Sequence, residues 1–192
     1  MDSSRWSGYP EVPLQNTVPP YAIHLIILTG KTDWAPHIED EGLAAALIRA
    51  IDDRKKQDDS RPDGHIFHSI HDHDGASCRR ILVTNASLPS SLSTQRGGQD
   101  VILLPDNVII ANVTPRRSSQ LLDFVFGKPS TFVTRPSPYR NLILICGHGS
   151  KDRRCGTIGP MLRKSMQQSL RDACVADSQV ALVSHLGGTI RS

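Results

Sequence analysis

Cysteine, aromatic residues and long apolar runs are scarce in this sequence. Four cysteines in 192 residues are too few for a disulfide-stabilised scaffold, so we expect a reducing compartment. Phenylalanine, tryptophan and tyrosine together make up 5% of the chain. The longest uncharged apolar run, residues 21–29 (YAIHLIILT), is about half of the ~18 residues that a membrane-spanning helix needs. We therefore expect a globular protein with no membrane span.

An excess of charge of one sign is also absent. The 22 basic and 19 acidic residues give a formal net charge of +3, and they are interleaved along the chain rather than gathered into a basic stripe. This distribution argues against nucleic acid as the main partner. Residues 1–20 lack both the apolar core of a signal peptide and the basic character of a mitochondrial presequence, so they do not decide the compartment.

Hydrophobic periodicity and the distribution of proline predict an α/β protein of two modules. The predicted segments are an extended, proline-rich arm (1–20), a first α/β module (21–127), a linker with three prolines (128–140) and a second, incomplete module (141–192). In the first module we expect strands at 21–29, 65–70, 80–85, 101–104 and 108–113, a helix before the charged run 52–59, and a helix between Thr114 and Gly127. In the second we expect strands at 141–145 and 179–184, with a helix from Pro160 to about Ala173 between them.

The loop at residues 146–160 (CGHGSKDRRCGTIGP) carries the strongest chemical signal. Cys146 ends a predicted buried strand and Cys155 precedes a predicted helix, so the eight residues between them can turn both sulfurs toward one point. Two thiolates can share a metal ion. The next predicted strand leads to His185, and parallel pairing would bring its imidazole to the same edge of the sheet. The spacing fits two ordinary buried thiols as well.

Charged residues flank these positions. The four basic residues between the two cysteines are His148, Lys151, Arg153 and Arg154. Their positive charge, together with the N–H groups at a helix start, is expected to favour thiolate over thiol. Four acidic residues precede the first helix, and we interpret them as charges of its first turn or as a docking surface: Asp33, Glu39, Asp40 and Glu41.

The same region resembles a known family. The strings C-G-H-G-x-x-D-x-R-C-G-x-x-G-P and V-S-H-x-G-G look like the sucrase/ferredoxin-like family, in particular a fungal branch of it. Residues 29–42, 103–115 and 136–149 also resemble that branch, so the likeness covers most of residues 21–188. The resemblance implies a thioredoxin-like ferredoxin architecture and a role in iron–sulfur electron transfer or redox maintenance. It also implies an unidentified redox partner protein and a mitochondrial location, with the cytoplasm as the alternative.

The resemblance further implies a cofactor and its ligands. The family pattern holds a [2Fe-2S] cluster with two cysteines and two histidines, which assigns Cys146 and Cys155 as thiolate ligands and His185 as the first imidazole ligand. The pattern H-x-G-G-H would place the second histidine where this chain has Thr189. We therefore expect weak or labile cluster binding by a chain that is truncated relative to its family.

Three other functions stay open at this level. Cys146 and Cys155 could cycle between dithiol and disulfide, although reactive pairs are usually spaced C-x-x-C. Two cysteines, one histidine and a water also satisfy tetrahedral zinc. A truncated chain with a vestigial site would act only as a binding module. We favour an electron-transfer or redox protein over a turnover enzyme, and we expect no glycosidase; the sequence contains no G-x-S-x-G motif.

Overall fold

The computed structural model describes residues 21–59 and 80–186. Seven strands and three helices occur within these ranges, which confirms the predicted α/β class. The strands are β1 (Ile23–Leu28), β2 (Ile81–Ala86), β3 (Gln99–Leu104), β4 (Val108–Val113), β5 (Thr134–Pro136), β6 (Asn141–Cys146) and β7 (Ser178–Val183). The helices are α1 (Gly42–Asp59), α2 (Ser118–Val125) and α3 (Arg153–Asp172). The predicted arm 1–20 and the predicted strand 65–70 lie outside the described residues.

The seven strands form one sheet in the order β5-β4-β3-β1-β2-β7-β6. The two pairs β1–β2 and β6–β7 are parallel, and every other neighbouring pair is antiparallel. Helix α1 connects the first parallel pair and α3 connects the second. The predicted linker 128–140 contains β5, which pairs with β4. The division into two modules and the thioredoxin-like architecture stay predictions.

The two predicted modules meet where β2 lies beside β7. The main-chain N–H of Ser87 donates to Leu182 O at 2.9 Å, and that of Ser184 donates to Asn85 O at 2.9 Å. The Ser87 hydroxyl accepts a third hydrogen bond from the Leu182 N–H at 3.0 Å. These bonds join the strands that carry the candidate site to the centre of the sheet.

The main core surrounds β1, whose six residues are all buried because the strand lies at the centre of the sheet. Leu43, Leu47 and Ile51 of α1 pack against it, as the helical spacing of these residues predicts. A smaller cluster beneath α3 contains Trp34, Ile145, Val180 and Leu182, with Met166 and Leu170 of the helix against it. No helix within the described residues is long and apolar enough to cross a membrane.

Helix α3 begins seven residues earlier than the sequence pattern predicts. Asp152 has an extended backbone and its carboxylate accepts a hydrogen bond from the Arg154 N–H, so it is the N-cap. Pro160 lies inside the helix and not at its start. Pro160 is the eighth residue of α3, and it lacks the N–H that would otherwise donate to the carbonyl of Gly156. The predicted start at Pro160 is therefore wrong, and Cys155 lies in the first helical turn.

Candidate metal centre

The candidate site lies at the edge of the sheet where β6 and β7 end. These strands run parallel and pair Cys146 with Val183 in register. Cys146 is the last residue of β6, and His185 follows β7 by two residues. Both loops therefore leave the sheet on the same side, as the parallel arrangement predicts.

Two glycines of α3 allow its main chain to lie directly against the main chain at and just after the end of β6. A Cβ atom on Gly159 would lie 2.5 Å from the carbonyl oxygen of Cys146, and one on Gly156 would lie 2.5 Å from the Cα of Gly149. Real Cβ atoms do not approach other atoms this closely, so no larger residue fits without a shift of the main chain. This contact brings Cys155, on the first turn of α3, to Cys146.

The two thiols interact and are half-buried. Burial raises the pKa of Cys155 to about 11, and a hydrogen bond and charge interaction with Cys146 add to the effect. The guanidinium of Arg154 lowers the pKa by less than these causes raise it. The expectation that the basic neighbours favour the thiolate is therefore wrong for Cys155 in the metal-free protein.

His148 is a buried, hydrogen-bonded residue and not part of a positive rim. Its Nε2 lies 2.9 Å from the carbonyl oxygen of Ala35, and its Nδ1 lies 3.2 Å from the main-chain N of His185. Since a carbonyl accepts and an N–H donates, Nε2 carries the proton and Nδ1 accepts. Both ring nitrogens therefore have partners within the protein, which corrects the expectation that His148 is part of a charged surface around the thiols.

His185 is half-buried beside the same loop. Burial lowers its pKa, and the nearby positive charge of Lys151 lowers it further. The neutral imidazole, which is the metal-binding form, is therefore favoured at neutral pH. A cavity of about 220 Å³ adjoins this ring and is lined by Pro36, Ile38, Glu39, Ile48, Val83, His148, Lys151 and His185.

Asp33 holds residues 29–38 against the cysteine loop. Its carboxylate accepts hydrogen bonds from the Ser150 hydroxyl at 2.7 Å, from the Ser150 N–H at 3.2 Å and from the Trp34 N–H at 2.9 Å. Burial opposes ionisation of Asp33, but the hydrogen bonds from Ser150 and Trp34 outweigh it and lower the pKa. The interpretation as first-turn charge is wrong for all four acidic residues (Asp33, Glu39, Asp40 and Glu41), since α1 begins at Gly42 and has no acidic residue in its first turn.

The described side chains do not form a three-ligand site for a single ion. Within residues 21–59 and 80–186, no three histidine, cysteine, aspartate or glutamate side chains cluster closely enough to hold one metal ion. The arrangement is instead a contacting pair, Cys146 and Cys155, with His185 on the neighbouring loop. Cys78 and Thr189 lie outside the described residues.

The chain is similar to known proteins over most of its length. The model of the sucrase/ferredoxin-like family matches residues 14–189. A protein named altered inheritance of mitochondria protein 32, from Debaryomyces hansenii, is 30% identical over 132 residues, 56% of this chain and 47% of the relative. A protein of the same name from Clavispora lusitaniae is 37% identical over 78 residues, 41% of this chain and 25% of the relative. The matches thus span about half of the first relative and a quarter of the second. No solved structure matches the chain significantly.

Gly156→Ala tests the backbone contact. Alanine in place of glycine inside an open helix stabilises by about 1 kcal/mol, but here the new Cβ meets main-chain atoms of Gly149. We expect the free energy of unfolding, measured by urea titration, to fall by about 1–3 kcal/mol. Ser165→Ala on the exposed side of α3 is the control and should change it by less than about 0.5 kcal/mol. If the Gly156→Ala protein is more stable than the parent, the close contact between Gly156 and the main chain of Gly149 is wrong.

Alkylation tests the protonation state of Cys155. A pKa raised from about 9 to about 11 lowers the thiolate fraction at pH 8 roughly 100-fold. In the metal-free protein we expect iodoacetamide to modify Cys155 far more slowly than in the same chain unfolded in urea, with a rate that still rises above pH 9. Peptide-level mass spectrometry measures both rates. Equal rates at pH 8 in the folded and unfolded chains would show that the thiol is not protected.

Proposed function

Because the chain belongs to the sucrase/ferredoxin-like family, we propose that it holds a [2Fe-2S] cluster and acts in electron transfer or redox maintenance. The observation that supports this proposal is the contact between Cys146 and Cys155 at the end of β6. A pair of cysteines presented together by one loop provides the two thiolates that one iron of such a cluster requires.

The residues present fit three of the four ligand positions. Cys146 and Cys155 would bind one iron, and His185 would bind the other through a neutral imidazole. Thr189, in place of the second histidine of the family pattern, offers only a hydroxyl, which binds iron weakly at neutral pH. A bound cluster would supply one-electron transfer, and an imidazole in place of a thiolate raises its potential because it carries no negative charge.

Residues around the cysteine pair favour negative charge on the sulfurs, hold the loop between them and limit its contact with water. Cys155 lies in the first turn of α3, where the main-chain N–H groups favour negative charge on a bound thiolate. Asp33 and Ser150 hold the loop between the cysteines, and the half-burial of both sulfurs limits access of water. A metal ion must displace the thiol protons, so we expect binding to release protons and to weaken as the pH falls.

The geometry favours the cluster over the two other chemical functions. A zinc ion needs three or four protein ligands around one centre, and the described side chains provide no such group. A thiol–disulfide enzyme needs one nucleophilic thiolate at neutral pH. The raised pKa of Cys155 argues against this residue as the nucleophile, and the pair lacks the usual C-x-x-C spacing of reactive cysteines. A cluster shared between two irons needs only two ligands on each iron, which suits a cysteine pair with a histidine on the next loop.

The names of the relatives suggest where the protein works. Both relatives described above are named for altered inheritance of mitochondria. We infer a mitochondrial location and an electron-accepting or electron-donating partner protein. Because the matches cover about half or less of the relatives, the activity of a whole family member is part of the proposal.

Anaerobic reconstitution tests the proposal. We expect the parent chain, after treatment with ferrous iron and sulfide, to bind equal amounts of iron and sulfide and to develop visible absorption. Cys146→Ser and Cys155→Ser should each abolish retention of iron, because the thiolate pair supplies both ligands to one iron. Cys174→Ser, which changes an exposed cysteine outside the pair, is the matched control and should leave retention unchanged. Thr189→His should prolong the lifetime of the cluster.

Three results would contradict the proposal. Equal loss of iron from all three cysteine variants would show that the metal is bound nonspecifically. Binding of one zinc ion in preference to iron and sulfide would favour a zinc site. A parent chain that takes up neither metal would overturn the proposal and leave the thiol–disulfide and binding-module alternatives.

A further inference from the structure

We propose that His148 is a positioning residue that fixes the main chain at His185 and is not itself a cluster ligand. This role rests on the proposed function, which makes His185 the imidazole ligand. The proposal follows from the hydrogen bonds of one buried ring, which connect two segments that are far apart in the sequence.

Both nitrogens of the His148 ring have partners within the protein. The side chain is 2% exposed. Nδ1 accepts from the His185 N–H at 3.2 Å, while Nε2 donates to the Ala35 carbonyl at 2.9 Å. A single neutral tautomer satisfies both bonds. The ring therefore bridges the loop after β7 to residues 29–38.

Trp34 holds the ring in this orientation. The two ring centroids are 5.8 Å apart and the planes are nearly perpendicular, at 88°. The indole Nε1 in turn donates to the Thr29 hydroxyl at 2.9 Å, just after β1. A continuous series of contacts thus runs from the end of a central strand through Trp34 and His148 to the main chain of His185.

The same contacts argue against His148 as a ligand. Iron would have to replace the His185 N–H at Nδ1, or the proton that Nε2 shares with Ala35. Either exchange would leave a buried polar group without its partner, which is costly in a water-poor environment. The structure instead uses His148 to hold the segment that carries the imidazole ligand, and such supporting residues typically change metal affinity 10- to 100-fold.

The first measurement uses the whole 192-residue chain without metal. Nitrogen chemical shifts of the His148 ring should show a protonated Nε2 and an unprotonated Nδ1. Amide hydrogen exchange at His185 should be at least about tenfold faster in His148→Ala, because the acceptor is lost. His148→Asn keeps an oxygen acceptor near the position of Nδ1 and should restore most of the protection. His24→Asn removes an equally buried imidazole from β1 and is the control, with no change at His185.

The second measurement uses the reconstituted protein. Release of iron to a chelator should be about 10- to 100-fold faster from His148→Ala than from the parent, and within about threefold of the parent for His148→Asn. Asparagine cannot replace an imidazole ligand, so an Asn variant as defective as the Ala variant would overturn the positioning role. Unchanged exchange at His185 in His148→Ala would overturn it as well.

The two proposals fail in different ways. A parent chain that binds no cluster would overturn the proposed function, whereas the exchange measurement on the metal-free chain would still decide whether His148 holds His185. A parent chain that binds a cluster, together with a His148→Ala variant that releases iron at the parent rate, would overturn only the positioning role.

Discussion

The site depends on one close contact, in which the first two turns of α3 lie directly against the main chain at the end of β6. Gly159 and Gly156 make this approach possible because a Cβ at either position would overlap main-chain atoms. The contact places Cys155 beside Cys146, and the parallel pairing of β6 with β7 brings His185 to the same edge. The three candidate ligands therefore come from one β-loop-α-β unit, held to the sheet through β2.

Burial, more than positive charge, determines the pKa of Cys155. Arg154 is a neighbour of Cys155, yet desolvation and the interaction with Cys146 have larger effects and keep the thiol protonated. Arg154 also makes a salt bridge with Asp152 at 2.8 Å, so its charge is partly neutralised. If the proposed cluster binds here, its affinity should increase with pH, because the thiols must lose their protons.

Periodicity predicted six of the seven strands and the parallel pairing of β6 with β7. It missed β5, which lies in the predicted linker, and the contacts that build the site. Asp152 is a residue type that commonly caps helices, and it marks the true start of α3. The preference of proline for the first turn of a helix led to the wrong prediction of a start at Pro160. The hydrogen bond between His148 and Ala35 joins residues 113 positions apart, and the bonds from Ser150 to Asp33 span 117 positions. No local spacing encodes such pairs, so the supporting role of residues 29–38 emerged only from the tertiary structure.

The central claim is that the contact between α3 and β6 produces a cluster site with one histidine ligand. Pulsed electron paramagnetic resonance of the reduced, anaerobically reconstituted protein, labelled with ¹⁵N-histidine, tests it most directly. The account predicts a histidine nitrogen strongly coupled to the cluster in the parent chain and the loss of that coupling in His185→Ala. A reduced cluster without a coupled histidine nitrogen, or one whose coupling persists in His185→Ala, would contradict it.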